Sequence, residues 1–400
     1  MTSDRPSLPI PAPLRGNEPG TWAERSVKDR LPQIARRALG EHDWPGKIAS
    51  RLSSLADSIP SGQITPIHDP EAPDAGAWAG LVMPYVGMNW LEVPWFFAES
   101  FFYRRLLAET GFFRQGPTHM LDPFGPEKRR GLERGLKEAN LPESTEGLDK
   151  LLLAALWGNR ADLSLWPTTS AGSGDPKAQS GPMNRLLVDN RPAVISHLEG
   201  LPDGPYRIDI VLDNAGQELL ADLALARGLL AAASGCRVVL HVKGHPTFVS
   251  DATRQDLDIT LRQASASEGA LAVLAKNLEK ASQSGRLDVA TDEFWTSPKA
   301  GWELPSHLRE AFGKSDLVIF KGDANYRRML GDRHWPYTTP FESVVSYFPA
   351  PMLCLRALKA DVAVGLTAKK IEGAAQSDDD WMIDGRWAVI QYAPNGADDV

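Results

Sequence analysis

Cysteine is nearly absent from this chain: Cys236 and Cys354 are the only two in 400 residues. Each lies inside or beside an apolar segment, and two are too few for a disulfide framework or a cysteine-type zinc site, so both read as buried thiols. Long apolar runs are missing as well. No uninterrupted apolar stretch reaches the roughly 18 residues of a membrane span, and the opening MTSDRPSLPIPAPLRGNEPG has no apolar core behind a basic start. The expectation is a cytoplasmic protein with no membrane partner. There is no basic excess either: 43 Lys and Arg stand against 51 Asp and Glu, a net charge of −8. Phosphate-backbone binding needs clustered cations, so a nucleic-acid partner is disfavoured and a small molecule expected. Finally, SAGSGDP carries neither GxGxxG nor a Walker lysine and follows a helical pattern, which makes it a plain loop.

What is present divides into two textures. From Thr21 to about Trp166, TWAERSVKDRLPQIARRAL, VPWFFAESFFYRRLLAETGFF, KRRGLERGLKEANL and GLDKLLLAALWGNRADLSLW space apolar residues three and four apart, which predicts helices. After Pro205, the β-rich runs YRIDIVLD, CRVVLHVKG, SDLVIFKGD, PMLCLRAL, DVAVGL and RWAVIQYA appear, interspersed with helical ELLADLALARGLLAAA and GALAVLAKNLEKASQ. Strands with apolar interiors mixed with helices predict an α/β fold: a three-layer α/β/α sandwich whose mostly parallel, Rossmann-like sheet is preceded by a helical subdomain. The expected organisation is a flexible Pro-rich arm over 1–20, helices over 21–166, a Gly/Ser/Pro-rich loop or linker over 167–182, and the α/β domain over 183–400.

Ligands of open α/β sheets bind beyond the carboxyl ends of the strands. Asp213 and Asn214 follow IDIVL, Ser250 and Asp251 follow VVLHVKGHPTFV, and Lys321, Gly322, Asp323, Asn325 and Arg327 follow LVIF. Arg356 and Lys359 follow MLCL. Alone, Asn214 could cap a helix with Gln217 completing a capping box, and Asp251 could be a turn residue. Together, two carboxylates and an amide form an all-oxygen half-shell suited to Mg²⁺ or Mn²⁺. Basic side chains facing that site are what a phosphorylated substrate needs, although each read singly could be a surface charge. His241 and His245 are four apart but at a strand end, without the helical face that makes this spacing useful for zinc. The tryptophans of NWLEVPWFF and ALWGNRADLSLW sit at helical spacing and read as core. Glu99 and Arg160 stand out as polar residues in apolar helices and are candidate outer contacts to substrate, whereas Asn159 and Asp162 read as helix-end residues.

In the order VKDRLP, PWFFAESFFYRR, LWGNRADLSL, LDNAGQELLADLALARGLL, FVSDAT, FWTSP, FKGDANYRRMLGD and LRALKADVAVGL, the chain resembles the metal-dependent damage-control phosphatases. The resemblance is to the branch holding the acidic-residue methyltransferase-like protein of animals and the fungal sugar-phosphate phosphatases, and it runs from about Thr21 to Ala393. It implies metal held by Asp213, Asn214 and Asp251, with Asp213 and Asp251 catalytic, and phosphate or sugar contacts from Asp323 to Arg327 and from Lys359. The implied activity is hydrolysis of phosphomonoesters such as fructose 1-phosphate, supported by Mn²⁺ first and by Mg²⁺, Co²⁺ or Ni²⁺. One departure stands out. Where the branch carries Arg-Thr-x-Lys, this chain reads Arg356, Ala357, Leu358, Lys359, which keeps both charges and loses the hydroxyl.

Two other readings stay open. A sugar-phosphate-binding protein without turnover is motivated by the missing threonine. A protein carboxyl methyltransferase using S-adenosylmethionine is motivated by the Rossmann-like half, but DNAGQE has one glycine where a nucleotide-type cofactor wants a glycine-rich turn.

Overall fold

The computed structural model describes residues 4–138, 147–158, 182–201 and 204–394. Most of the expected linker, together with Arg160, Asn159 and Asp162, lies outside them. The described strands are β1 (Leu186–Asp189), β2 (Tyr206–Val211), β3 (Cys236–Val242), β4 (Leu287–Thr291), β5 (Leu317–Lys321), β6 (Met352–Ala357) and β7 (Ala388–Ala393). They form one sheet in the order β1-β7-β6-β5-β2-β3-β4. All neighbours pair in parallel except β6 and β7. The chain leaves β2 towards β3 and β4, then returns to β5 on the other side of β2, so the order reverses between β2 and β5. At such a switch point the flanking connections diverge and leave a crevice.

Both faces of the sheet are covered, which is why its strands read as nearly continuous apolar runs. Ile208, Ile210, Leu240, Ile319 and Leu355 pack on one side against the helices Leu148–Trp157 and Gln217–Ala232. Val211, Val318, Phe320, Cys354 and Val389 pack on the other, in one core with Leu31, Leu52, Trp95, Phe101, Trp295 and Tyr347. The result is an α/β/α sandwich in which the helices preceding the sheet contribute to both outer layers. Cys236 and Cys354 are buried free thiols. No helix among the described residues is long and apolar enough to cross a membrane.

Three expectations change. DVAVGL forms no strand; it is a loop whose Val362 and Val364 fill the core, so its apolar character reflects burial without sheet pairing. LLVD and LDVAT, too short and polar to stand out, form β1 and β4. The Pro-rich opening is tied down where it meets the body. Leu14 is buried and donates its N–H to Asp332 while accepting from Trp95, and Ser7 hydrogen-bonds to Ser343 and Ser346.

One ion pair joins the first helices to the sheet. Arg327, in the helix Gly322–Met329, donates to Glu99 Oε2 at 2.7 Å and to Asp332 Oδ1 at 2.7 Å, and lies 3.7 Å over the Trp95 ring. Glu99, in the helix Trp95–Thr110, also accepts from Arg30 and Ser26. All three members of the Arg327, Glu99 and Asp332 set are buried. Removing one partner of a buried set leaves uncompensated charge, so Arg327→Leu is expected to lower the unfolding free energy by about 3–5 kcal/mol in urea titration. Parental stability in that variant would show that the pair does not join the layers.

Candidate metal and phosphate site

The β2 and β3 ends are zipped into one unit. Ala252 donates its N–H to Asp213 O and Ala215 donates to Ser250 O, each at 2.7 Å, and Asn214 and Asp251 face each other as an isolated antiparallel bridge. The two acids expected to act together are therefore brought together by backbone. Neither serves as a helix cap. Thr253 and Asp256 form the capping box of the helix Arg254–Ser265, and the helix Gln217–Ala232 begins at Gly216 with no side-chain cap.

Asp213 and Asp251 are both buried. Burial, then Glu218 and Asp251, push the Asp213 carboxyl well above its ordinary range, against the pull of Lys243 and Lys359. Burial likewise raises Asp251, opposed by Lys243 and Lys128. The Lys243 ammonium donates to Asn325 Oδ1 at 3.0 Å and stands 3.4 Å from Asp251 Oδ2, an oxygen left without a hydrogen-bond partner. Asn214 bridges Asp213 and Glu218 as a donor: its Nδ2 gives hydrogen bonds to Asp213 Oδ2 at 2.7 Å and Glu218 Oε2 at 2.8 Å, while its Oδ1 accepts from Ser250.

Beside them, Gly322 opens the helix Gly322–Met329 directly after β5. Its φ is +82°, and a Cβ there would lie 1.9 Å from Asp213 Oδ2. Only glycine lets the carboxylate rest against this backbone. Asp323 follows, accepting from Arg356 Nε at 2.8 Å and from the Lys359 N–H at 3.1 Å. Burial would raise its pKa, but Arg356 and Arg327 outweigh burial and lower it.

Asp213, Glu218 and Asp323 line a cavity of about 210 Å³ whose walls also include Trp157, Ala357, Lys359 and Asp384; Asn214, Lys243 and Asp251 are not among its lining residues. Of the expected residues, Asp213, Asp323 and Lys359 border it. The other expected cations are committed within the protein. Lys321 pairs with Asp222 at 3.1 Å and Glu218 at 3.2 Å and donates to Ala155 O; Arg356 donates to Ala360 O and Val362 O and lies over Tyr326. Asn325 donates to Leu212 O and Lys321 O, fixing the β2 end. The physical reason is strand alternation: Lys321 shares a face with Ile319, and Arg356 shares one with Cys354. Neither points out of the sheet's end.

Sequence reasoning missed Glu218, Trp157, Asp384 and Lys128. The i,i+4 spacing of Asn214 and Glu218 was a usable signal, and Trp157, read as core, forms a cavity wall. Lys128 donates to Asp251 O at 2.9 Å and pairs with Asp122 and Asp256, a contact from a distant helix that no local pattern reveals.

The donor chemistry suits a hard divalent cation. Asp213 and Asp251 bring buried carboxylates that repel each other, and Asp251 Oδ2 has the Lys243 ammonium at 3.4 Å but no hydrogen bond. Among the described residues no group of three or more His, Cys, Asp or Glu is arranged for a metal ion, and two carboxylates with an amide do not make such a group.

The damage-control phosphatase ARMT1-like domain matches residues 26–373. The chain belongs to that family. It is 31% identical to the damage-control phosphatase ARMT1 of Danio rerio, across 96% of this chain and 97% of that one, and 30% identical to its counterpart from Xenopus tropicalis, across 96% and 99%. A crystal structure of a DUF89 family protein from Pyrococcus horikoshii aligns with a TM-score of 0.50 at 15% identity, covering 92% of this chain and 98% of that chain, which supports the fold.

Two outcomes follow for this family member. Gly322→Ala is expected to displace the Asp213 carboxylate and reduce turnover at least 100-fold with the fold retained by circular dichroism; unchanged turnover would remove Asp213 from the site. The unfolded Asp213 carboxyl titrates near 3.8 and the folded one well above it. Its contribution to stability is fully present below the unfolded value and is lost as pH rises through the folded value. In EDTA, Asp213→Asn should therefore melt higher than the parent at pH 8, with the difference shrinking towards pH 4.

Proposed function

We propose that this chain is a divalent-metal-dependent phosphatase of small phosphomonoesters, with hexose phosphates such as fructose 1-phosphate the leading substrates. The observation that carries this reading is the charge of the cavity. Asp213, Glu218, Asp323 and Asp384 face it; Lys321 pairs with Glu218, Arg356 with Asp323 and Arg386 with Asp384, which leaves Asp213 facing the ammonium of Lys359. A phosphomonoester brings a charge of about −1.5 to −2 at neutral pH. The Lys359 ammonium, already balanced by Asp213, does not match that charge alone, and a cation held at Asp213 would supply the rest.

Asp213 and Asp251 would hold the cation. Asn214, whose Nδ2 donates to Asp213 and Glu218, would join them through its amide oxygen if the amide were turned over. When bound, the metal polarises a phosphoryl oxygen and neutralises developing charge. The protein's own groups do the positioning. Lys359 and the N–H groups at the start of the helix Gly322–Met329 face the phosphoryl oxygens, where helix-end donors favour negative charge. Arg356 keeps Asp323 ionised and fixes it against the Lys359 backbone, which aims that lysine. Trp157 and Leu156 form the apolar wall beside the leaving group, and Asp384 offers acceptors to its hydroxyls.

The test is phosphate release from a panel of sugar phosphates by EDTA-stripped protein reconstituted with Mn²⁺, Mg²⁺, Co²⁺ or Ni²⁺. Turnover is expected only with metal, and Asp213→Ala or Asp251→Ala should reduce it at least 100-fold. Full activity in either variant sinks the metal assignment. Ala357→Thr restores a hydroxyl on the cavity wall; a hydrogen bond worth about 1 kcal/mol corresponds to a KM roughly fivefold lower for the preferred hexose phosphate.

A further inference from the structure

The loop between β3 and the helix Arg254–Ser265 is closed at its base and gripped at its tip. At the base, Lys243 donates its N–H to Ala252 O, and Ala252 in turn binds Asp213 O. Between these points the chain passes through two consecutive left-handed non-glycine residues, Phe248 at φ 45° and Val249 at φ 68°. A β-branched residue rarely stays there unless its surroundings over-determine it. Phe248 is held by Phe96 and Tyr103, with ring centroids at 5.8 and 5.2 Å. Asp251 emerges directly after this stretch, its N–H bound to Thr247 O.

The tip is His245, which lies 94% buried among charges supplied by the first helices. Its Nε2 stands 3.4 Å from Asp74 Oδ2, and its Nδ1 is 3.1 Å from Pro246 O. Arg104 takes Asp74 in three hydrogen bonds of 2.9–3.0 Å and lies 3.0 Å from Asp69 Oδ2. Phe113 covers both, edge-on to the imidazole at 5.8 Å and 5.0 Å from the guanidinium. Burial opposes the ionised form of Asp74, but the adjacent His245 ring and the hydrogen bonds from Arg104 bring its pKa to about 2. A buried ion cluster is weak evidence for stability, because desolvation offsets its attraction. What it supplies here is a single loop conformation.

We propose that the Asp74–Arg104–His245 cluster is a positioning device that presents Asp251 to the divalent cation, so that residues of the first helices set metal affinity. This rests on the reading of Asp251 as a metal ligand. The measurement is Mn²⁺ affinity of the full chain by calorimetry, alongside circular dichroism and hexose-phosphate KM at saturating Mn²⁺. His245→Ala is expected to weaken Mn²⁺ binding at least tenfold, with native circular dichroism and a KM within twofold of the parent. Asp74→Asn, which keeps the shape and drops the charge, should weaken it as well, and His245→Gln, able to hydrogen-bond Asp74, should recover part of the loss. Parental Mn²⁺ affinity in both His245→Ala and Asp74→Asn overturns the proposal. The parent and Asp251→Ala separate the two readings: a parent that binds no Mn²⁺, or an Asp251→Ala variant that binds it undiminished, defeats the metal assignment and the proposal with it. Loss in Asp251→Ala with none in the cluster variants defeats the positioning role alone.

Discussion

Mutual repulsion between buried carboxylates is the constraint around which this fold is arranged. Glu218 and Asp251 raise the electrostatic cost of ionising Asp213, and the backbone zipper between the β2 and β3 ends keeps Asp213 beside Asp251. The nearest cations do not cancel that charge. Lys321 is shared by Asp222 and Glu218, Lys243 pairs with Asp251 while donating to Asn325, and Lys128 divides itself between Asp122 and Asp256. Together they offset the charge of the acidic centre only in part, since Asp213 still rises well above its ordinary range. A site that is incomplete as an electrostatic object is one that a cation completes.

The helices that precede the sheet support this centre from two sides. On one, Arg327 is held by Glu99 and by the Trp95 ring, which fixes the helix that Gly322 begins. On the other, Phe96 and Tyr103 receive Phe248. All of these partners lie on the single helix Trp95–Thr110, nearly every residue of which is buried. That explains its sequence: a helix touching the sheet layer on one flank and the outer helices on the other has no solvent face along which polar residues could alternate. Its buried charged members, Glu99 and Arg104, each anchor a set of ion pairs.

How much of this could be read from the residues alone depends on the kind of relation involved. Strand interiors such as IDIV and VVLHV, and the acids that follow them, were legible because strand ends point to one crevice whatever the details. The fates of Lys321 and Arg356 were not, since a shift of one position along a strand moves a side chain from one face to the other. Lys128 and Glu99 act across more than a hundred residues of chain, and no spacing rule reaches that far. His241 and His245 show both limits together. They are four apart in sequence, yet His241 binds Asp209 beneath the sheet and His245 meets Asp74 in the helical layer.

The strand order carries a consequence for how the chain reaches this state. β7 lies between β1 and β6, pairing in parallel with one and antiparallel with the other. During synthesis β1 emerges early and has no neighbour in the final sheet until β7 arrives, and β6, once made, keeps an unpaired edge until β7 follows. Open edges of this kind are templates for wrong pairing between chains. Among the described strands β7 is the last in chain order and the one that joins β1 to the rest, so a chain lacking it would leave the β6 edge open and β1 without a place in the sheet.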